Sequence, residues 1–399
     1  MTSLMTNVAS SLQDIQAKGK EFSSKDDASR KALLASAQAL VSALETPGER
    51  LCKIAWHEPL TYSTIRVCID LKLFERMQDD GGSAKNAEQL AKMTGADPRL
   101  IERFLKQLAA ANIIRETDVD EYTLTPISEL LATPPGQGVI INVHDCLAVA
   151  TAKLPEFLQK TNYENPTDKE NSAWTFSLGS PVHYFKWVFS PGNERQVEGF
   201  QNCMKFKTLG KKWFEMVPVP ELFADFKKDD PEAVLMVDVG GNAGHDILNF
   251  HNAWPDQPGR LVVEDLPDLI QGLDKDALKP VEALGHDFFK PQPIKGAKAY
   301  FLKMVLHDWP DNSCKEILSN IKPALERGYS KILINEIVVP DRNAQWYETS
   351  VDILMMVAHS AAERREKQWR TLIESVGLKI CKIWECGTEP EKLIEVELA

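Results

Sequence analysis

From residue 231 onward, apolar runs alternate with helical patterns. The segments 234–239, 260–264, 282–286, 298–303 and 331–336 are short and mostly apolar. They read as strands, the first of them buried. Helical patterns lie between them, including 313–325. Such alternation predicts a doubly wound α/β unit, a mostly parallel sheet with helices on both faces. Ligands in that architecture sit at the C-terminal ends of the strands.

The N-terminal third has a different period. Residues 29–45 carry Leu33, Leu34, Ala37, Leu40, Val41 and Leu44 at helical spacing and stop before Pro47 and Gly48. This apolar stripe calls for a protein partner, because a membrane-surface helix would carry more Lys and Arg on its polar face. Residues 58–133 read as a compact helical module: a helix, a turn from Gly95 to Pro98, a second helix, and a short wing strand within 120–133. Residues 139–222 are helical and aromatic. Trp174, Phe176, Tyr184, Phe185, Trp187 and Phe189 crowd the stretch 172–192, as domain-junction core, as the lining of an apolar pocket for a flat substrate, or as both. The implied domains are 1–135, 136–222 and 223–399.

Composition removes several function classes. The 399 residues exceed one usual domain. A net charge of -12 argues against a broad nucleic-acid footprint. The second helix of the N-terminal module offers only Arg99, Arg103 and Lys106, which is sparse for reading DNA. Seven scattered cysteines without a C-x-x-C pair fit neither a disulfide framework nor a structural zinc site. No apolar run has signal-peptide or membrane-spanning length, so the expected location is the cytoplasm, with no membrane partner.

The stretch 234–245, VLMVDVGGNAGH, is the most informative. A buried strand ends at Asp238 and Val239 and breaks into a turn with Gly240, Gly241 and Gly244, ahead of a helical pattern. Glycine there permits positive φ and close approach of a ligand. The spacing D-x-G-x-x-x-G by itself fits either a nucleoside cofactor or a structural turn. The next strand ends in Glu264 and Asp265, about 20 residues on, where an acid commonly binds a ribose hydroxyl pair. Asp287, Lys303, His307 and Glu336 also fall at or just after strand ends. Such clustering points to an active site.

Four segments follow the glycine turn: VVEDLP at 262–267, HDFFKPQP at 286–293, FLKMVLHDWPD at 301–311 and ILINEIVVPD at 332–341. Their order and spacing resemble the S-adenosylmethionine-dependent O-methyltransferases of the caffeate/isoflavone type (plant class II), especially the fungal branch that decorates polyketides. The resemblance covers nearly the whole chain. It implies a C-terminal Rossmann-like methyltransferase sheet, an N-terminal mainly helical winged-helix dimerisation domain, a homodimer, S-adenosyl-L-methionine as cofactor and an aromatic or polyketide small-molecule substrate. It places Gly240 and Gly241 against the methionine portion, Asp265 on the ribose, Asp287 and Phe288 on the adenine, and Lys303 beside the cofactor. It makes His307 the general base next to Asp308, with Glu336 and Glu363 flanking and orienting it. No metal is implied.

Those roles suit the chemistry. A phenol ionises near pH 10 in water, so a base titrating near neutrality within hydrogen-bond reach assists methyl transfer. A carboxylate on its second nitrogen fixes the tautomer and stabilises the imidazolium. Other readings stand beside these. His307 could be a strand-end histidine satisfied by backbone. Asp308 could be only a cap. Glu363 lies in ERREK, a run that usually marks a solvated helix face. Glu264 reads as a neighbour without direct contact, and His144, His183 and His359 show no pattern of their own. Asn242 stands where the family turn usually has a third glycine, and Asn tolerates left-handed backbone. Some fungal relatives bind the cofactor without consuming it and promote dehydration or pericyclic cyclisation. The retained His307, Asp308 and both glutamates favour methyl transfer over that alternative.

Overall fold

The computed structural model describes residues 2–387 and 390–399, with side chains from residue 8 onward. The chain divides into two units, residues 1–140 and 141–399.

The first unit is mainly helical. Helices Thr2–Glu21 and Asp27–Leu44 pack on each other, the second starting where the Asp26 carboxylate accepts the Ala28 and Ser29 amides. That cap satisfies donors the first helical turn leaves open. Leu34, Val41 and Leu44 stay exposed on the second helix. The helix Ala87–Thr94 ends at Gly95 in left-handed conformation, and Pro98–Ala110 follows, capped by Asp97. Its apolar stripe buries Ile101, Leu105 and Leu108. A hairpin of β1 (Ile114–Asp118) and β2 (Glu121–Leu124) completes this part. The expected wing strand is thus a pair, and residues Pro126–Leu131 form a helix begun by Thr125 and Ser128. Lys106 is held by Glu116, which removes one of the sparse cations on the second helix.

The second unit is built on an eight-stranded sheet. Its strands are β3 (Val234–Val239), β4 (Arg260–Asp265), β5 (Glu282–Gly285), β6 (Ala299–Lys303), β7 (Lys331–Val339), β8 (Arg364–Arg365), β9 (Leu378–Trp384) and β10 (Glu391–Leu398). The order is β5-β4-β3-β6-β7-β10-β9, with β8 beside β7. Strands β3 to β7 run parallel. β10 and β9 add an antiparallel edge, which the apolar pattern did not announce. Helices cover both faces. On one, Asp311–Ile321 and Glu366–Ser375 bury Ile317, Leu318, Trp369 and Ile373. On the other, His245–Ala253 buries Ile247 and Phe250 against Trp213 and Phe301. Every residue of β3 is buried. Among the described residues no helix is long and apolar enough to cross a membrane.

Candidate active site

The turn after β3 is held from the neighbouring strand. The amides of Gly240 and Gly241 donate to the Glu264 carbonyl at 2.8 and 3.0 Å. Gly240 has φ +74° and Asn242 φ +52°, so Asn242 takes the left-handed conformation its side chain tolerates. A Cβ on Gly241 would stand 2.6 Å from Cγ of Asp238. Asp265, at the end of β4, closes the turn: Oδ2 accepts the Asn242 amide at 2.8 Å and Oδ1 the Leu266 amide at 2.7 Å. Lys303, at the end of β6, reaches Asp246 Oδ1 at 2.5 Å.

Acids dominate here. Burial pushes the Asp238 carboxyl well above its usual range, reinforced by Asp246, Asp265 and Glu264 and opposed by Lys303. Asp238 Oδ2 has no hydrogen-bond partner. Burial raises Asp265 too, against two backbone amides that favour its charged form. A glycine cradle ringed by carboxylates suits a ligand carrying positive charge and hydroxyl donors. The Phe288 ring edge lies 3.5 Å from the position a Gly240 Cβ would take, so it borders the cradle. Asp287 caps its own turn, Oδ1 accepting the Phe289 amide at 2.9 Å. Glu264 is buried, and its Oε2 accepts from Gln292 at 2.8 Å. It serves the site through its carbonyl and not its carboxylate.

His307 stands in a one-turn helix, Leu306–Asp308, after β6. It is 4% exposed. Its Nδ1 lies 2.6 Å from Glu363 Oε1, so the ring is not satisfied by backbone. Glu336, on β7, brings a carboxylate oxygen within 4.8 Å of a His307 ring nitrogen, but its hydrogen bonds go to the main chain. Its Oε1 accepts the amides of Val305, Leu306 and His307 at 2.9, 2.7 and 3.3 Å. It therefore positions His307 through the main chain. Glu363 is not on a solvated helix face: it is buried just before β8, and the next helix starts at Glu366. Arg364 beside it is 2% exposed and donates to the carbonyls of Leu306 and Trp309 at 2.9 and 2.8 Å and to Asp311 at 2.9 Å. No sequence pattern marks that clamp on the turn that carries His307.

Burial raises three carboxyls around His307: Glu336 and Asp308 to about 7 and Glu363 to about 8. Nitrogen or oxygen atoms of His307, Glu336 and Glu363 all lie within 4.8 Å of one another, a spacing a metal ion could use. His307 Nδ1 and Glu336 Oε1 already make hydrogen bonds, to Glu363 and to the 305–307 amides.

An aromatic wall adjoins the turn 306–308. His183 stacks on Trp309, with centroids 4.9 Å apart at 5°. His359 packs on Phe185 at 5.0 Å and edge-on to Tyr184 at 5.3 Å. Trp174 and Tyr184 are core, whereas His183 and Phe185 reach Trp309. The crowded stretch 172–192 thus contributes core, one of the two parts anticipated for it. His144 instead meets Asp145 Oδ1 at 3.1 Å.

Residues 224–379 match the model of the O-methyltransferase domain, and residues 60–134 that of the O-methyltransferase dimerisation domain. The demethylsterigmatocystin 6-O-methyltransferase of Aspergillus parasiticus is 35% identical over 81% of this chain and 81% of its own. Two solved structures, "A Pericyclic Reaction enzyme" and LepI in complex with SAM, superpose with TM-scores of 0.88 and 0.87. Each is 27% identical, across 99% of this chain and 100% of theirs. The acid-ringed cradle fits the sulfonium and amine of S-adenosylmethionine, with Gly240, Gly241, Asp265 and Phe288 as its border. The chain is a member of the S-adenosylmethionine-dependent O-methyltransferase family.

Proposed function

We propose that this enzyme methylates a phenolic or enolic hydroxyl of a polyketide-like secondary metabolite, with His307 as general base. One observation carries the reading: Glu363 occupies Nδ1 of a buried histidine at 2.6 Å, so Nε2 is the nitrogen left to take a proton. S-adenosylmethionine, when bound, supplies an electrophilic methyl group. The protein has two tasks, to place the acceptor oxygen and to remove its proton. Gly240 and Gly241 admit the cofactor, Asp265 presents a carboxylate to its ribose, Asp287 and Phe288 border its adenine, and Lys303 stands beside it. His307 Nε2 takes the hydroxyl proton. Glu363 stabilises the resulting imidazolium, and Glu336 and Arg364 keep its turn in place. The aromatic wall of Phe185, His183 and Trp309 suits a flat acceptor.

The relative that methylates demethylsterigmatocystin supports a phenolic acceptor. We place the protein as a homodimer. The dimerisation domain and the exposed Leu34, Val41, Leu44, Trp56 and Leu60 support this. The assay is incubation with labelled S-adenosylmethionine and a panel of phenolic polyketides. Stoichiometric S-adenosylhomocysteine and methylated product are expected. A rearranged product with the cofactor unconsumed would replace this reading with a pericyclic one, the activity named in one structural relative's title.

A further inference from the structure

His307 has a second line of contacts, at Nε2, that no motif describes. Asp308 Oδ1 lies 3.5 Å from His307 Nε2 and 3.6 Å from His359 Nε2. His359 Nδ1 lies 3.4 Å from His183 Nε2. His183 in turn is fixed by its stack on Trp309, the residue after Asp308. Four side chains from three segments, 183, 307–308 and 359, thus form one file that ends at the base. We propose that His359 and His183 are positioning residues for Asp308, holding its carboxylate against the Nε2 edge of His307 as Glu363 is held at the Nδ1 edge. The inference rests on His307 being the base.

One proton assignment fits the file. His359 is 2% exposed and His183 is packed between aromatic rings. Burial holds both neutral, His183 down to about 4 and His359 well below its ordinary value. A neutral imidazole has one N–H and one bare nitrogen, and an ionised carboxylate only accepts. In that assignment the His359 Nε2–H faces Asp308 at 3.6 Å, just beyond hydrogen-bond length, and its bare Nδ1 accepts from His183 Nε2 at 3.4 Å. Separations of 3.4–3.6 Å are the loose contacts catalytic groups show before reactants are seated. Around Asp308, burial, Glu336 and Glu363 favour the neutral acid, while His307 and Lys207 favour the anion. Tyr184 also packs here, but its hydroxyl is committed to Asn142 at 2.7 Å. A His359 N–H facing the carboxylate adds to the anion's side of that contest. With Asp308 ionised, the acceptor hydroxyl meets two groups, and the imidazolium formed at Nε2 has a counter-charge beside it.

The test is direct titration of Asp308 by 13C NMR of carboxyl-labelled aspartate in the full-length protein, the signal assigned with Asp308→Asn. In His359→Leu, Asp308 should bind its proton about tenfold more tightly, a midpoint roughly one pH unit higher, because an N–H donor to the anion is gone. His359→Gln supplies an N–H at the same reach and should restore the midpoint. His183→Phe keeps the stack on Trp309 but removes the donor to His359, and should shift the midpoint the same way by less. The acid limb of kcat/KM should follow each shift. A wild-type midpoint in His359→Leu, or Gln behaving like Leu, overturns the proposal. If His359→Leu fails to fold, an unmoved midpoint in His183→Phe overturns it. The titration needs no acceptor, so a wild type that forms no S-adenosylhomocysteine refutes the transferase reading separately.

Discussion

Glu363 Oε1 lies 2.6 Å from His307 Nδ1, and both side chains are almost wholly removed from water. The pair decides which ring nitrogen can act. Replacing His307 with Ala should lower turnover by about 10²–10⁴-fold, the span general-base catalysis commonly supplies. Affinity for S-adenosylmethionine should stay within a factor of about three, because the glycine cradle is untouched. Single-turnover kinetics and calorimetry separate the two. Wild-type turnover in the variant would take His307 out of the reaction.

The same pair sets the pH profile. Burial raises Glu363 to about 8, with Lys207 and Arg364 opposing. Of the two protons the pair can hold, the second must leave before Nε2 is bare with Glu363 ionised behind it, so kcat/KM should rise as pH increases through the neutral range and level off above about 8. Glu363→Gln removes the counter-charge, which should lower kcat and make its limiting value less dependent on pH. An activity that falls as pH rises across that interval would assign His307 to an acid role.

Glu336 offers a contrast, because its partners are amides. Glu336→Ala leaves three buried N–H groups of Val305, Leu306 and His307 without their acceptor. A loss of about 2–4 kcal/mol in urea unfolding is expected. Glu336→Gln keeps an acceptor oxygen in place and should cost about 1 kcal/mol or less. Equal losses in the two variants would mean that charge, and not the hydrogen bonds, fixes this turn.

The cofactor cradle can be probed by one methyl group. A Cβ at position 241 would lie 2.6 Å from Asp238 Cγ and 2.7 Å from Val263 Cγ2, on neighbours that are themselves buried. Gly241→Ala should therefore push the turn off its strand and weaken S-adenosylmethionine binding by at least about tenfold, about 1.4 kcal/mol. Gly210→Ala, where a Cβ meets nothing within 4 Å, is the control. Asp265→Asn should weaken binding too, since a carboxylate oxygen shared by the Asn242 amide is lost. Calorimetric affinities equal to wild type would move the cofactor away from this turn.

Sequence reading went far where burial is two-sided. Strands β3, β4, β6 and β7 are buried along most of their length, so the runs 234–239 and 331–336 mark themselves, whereas β5 at the sheet edge is mostly exposed. β9 and β10 did not, because an antiparallel edge mixes Lys and Glu with its apolar positions. The site residues near β3, β4, β6 and β7 were legible because the chain turns where the apolar run stops. Glu363 was ambiguous for a physical reason. The run ERREK straddles a boundary, with Glu363 and Arg364 buried and the residues from Arg365 exposed. His183 carried no local signal, since its partner His359 is 176 residues away. Contacts of that kind leave no period in a single sequence.

The buried acids also tie stability to pH. Glu264, Asp308 and Glu336 are raised to about 7 and Glu363 to about 8, chiefly by burial. A carboxyl whose folded pKa lies above its unfolded value binds a proton in the native state that the unfolded chain has released. Its stabilising contribution is complete below the unfolded value and is lost as pH rises through the folded one. His183 and His359, held neutral by burial, act in the opposite direction, but only below their ordinary value of 6.5. Between about 6.5 and about 8.5 the acids act alone, so the unfolding midpoint of the ligand-free protein should fall across that interval. Bound S-adenosylmethionine brings positive charge to the acid-ringed cradle and should raise the midpoint more at the alkaline end than at the neutral end. Scanning calorimetry with and without cofactor at several pH values reads both effects. A ligand-free midpoint that climbs with pH over this range would mean these carboxyls are ionised in the native state already.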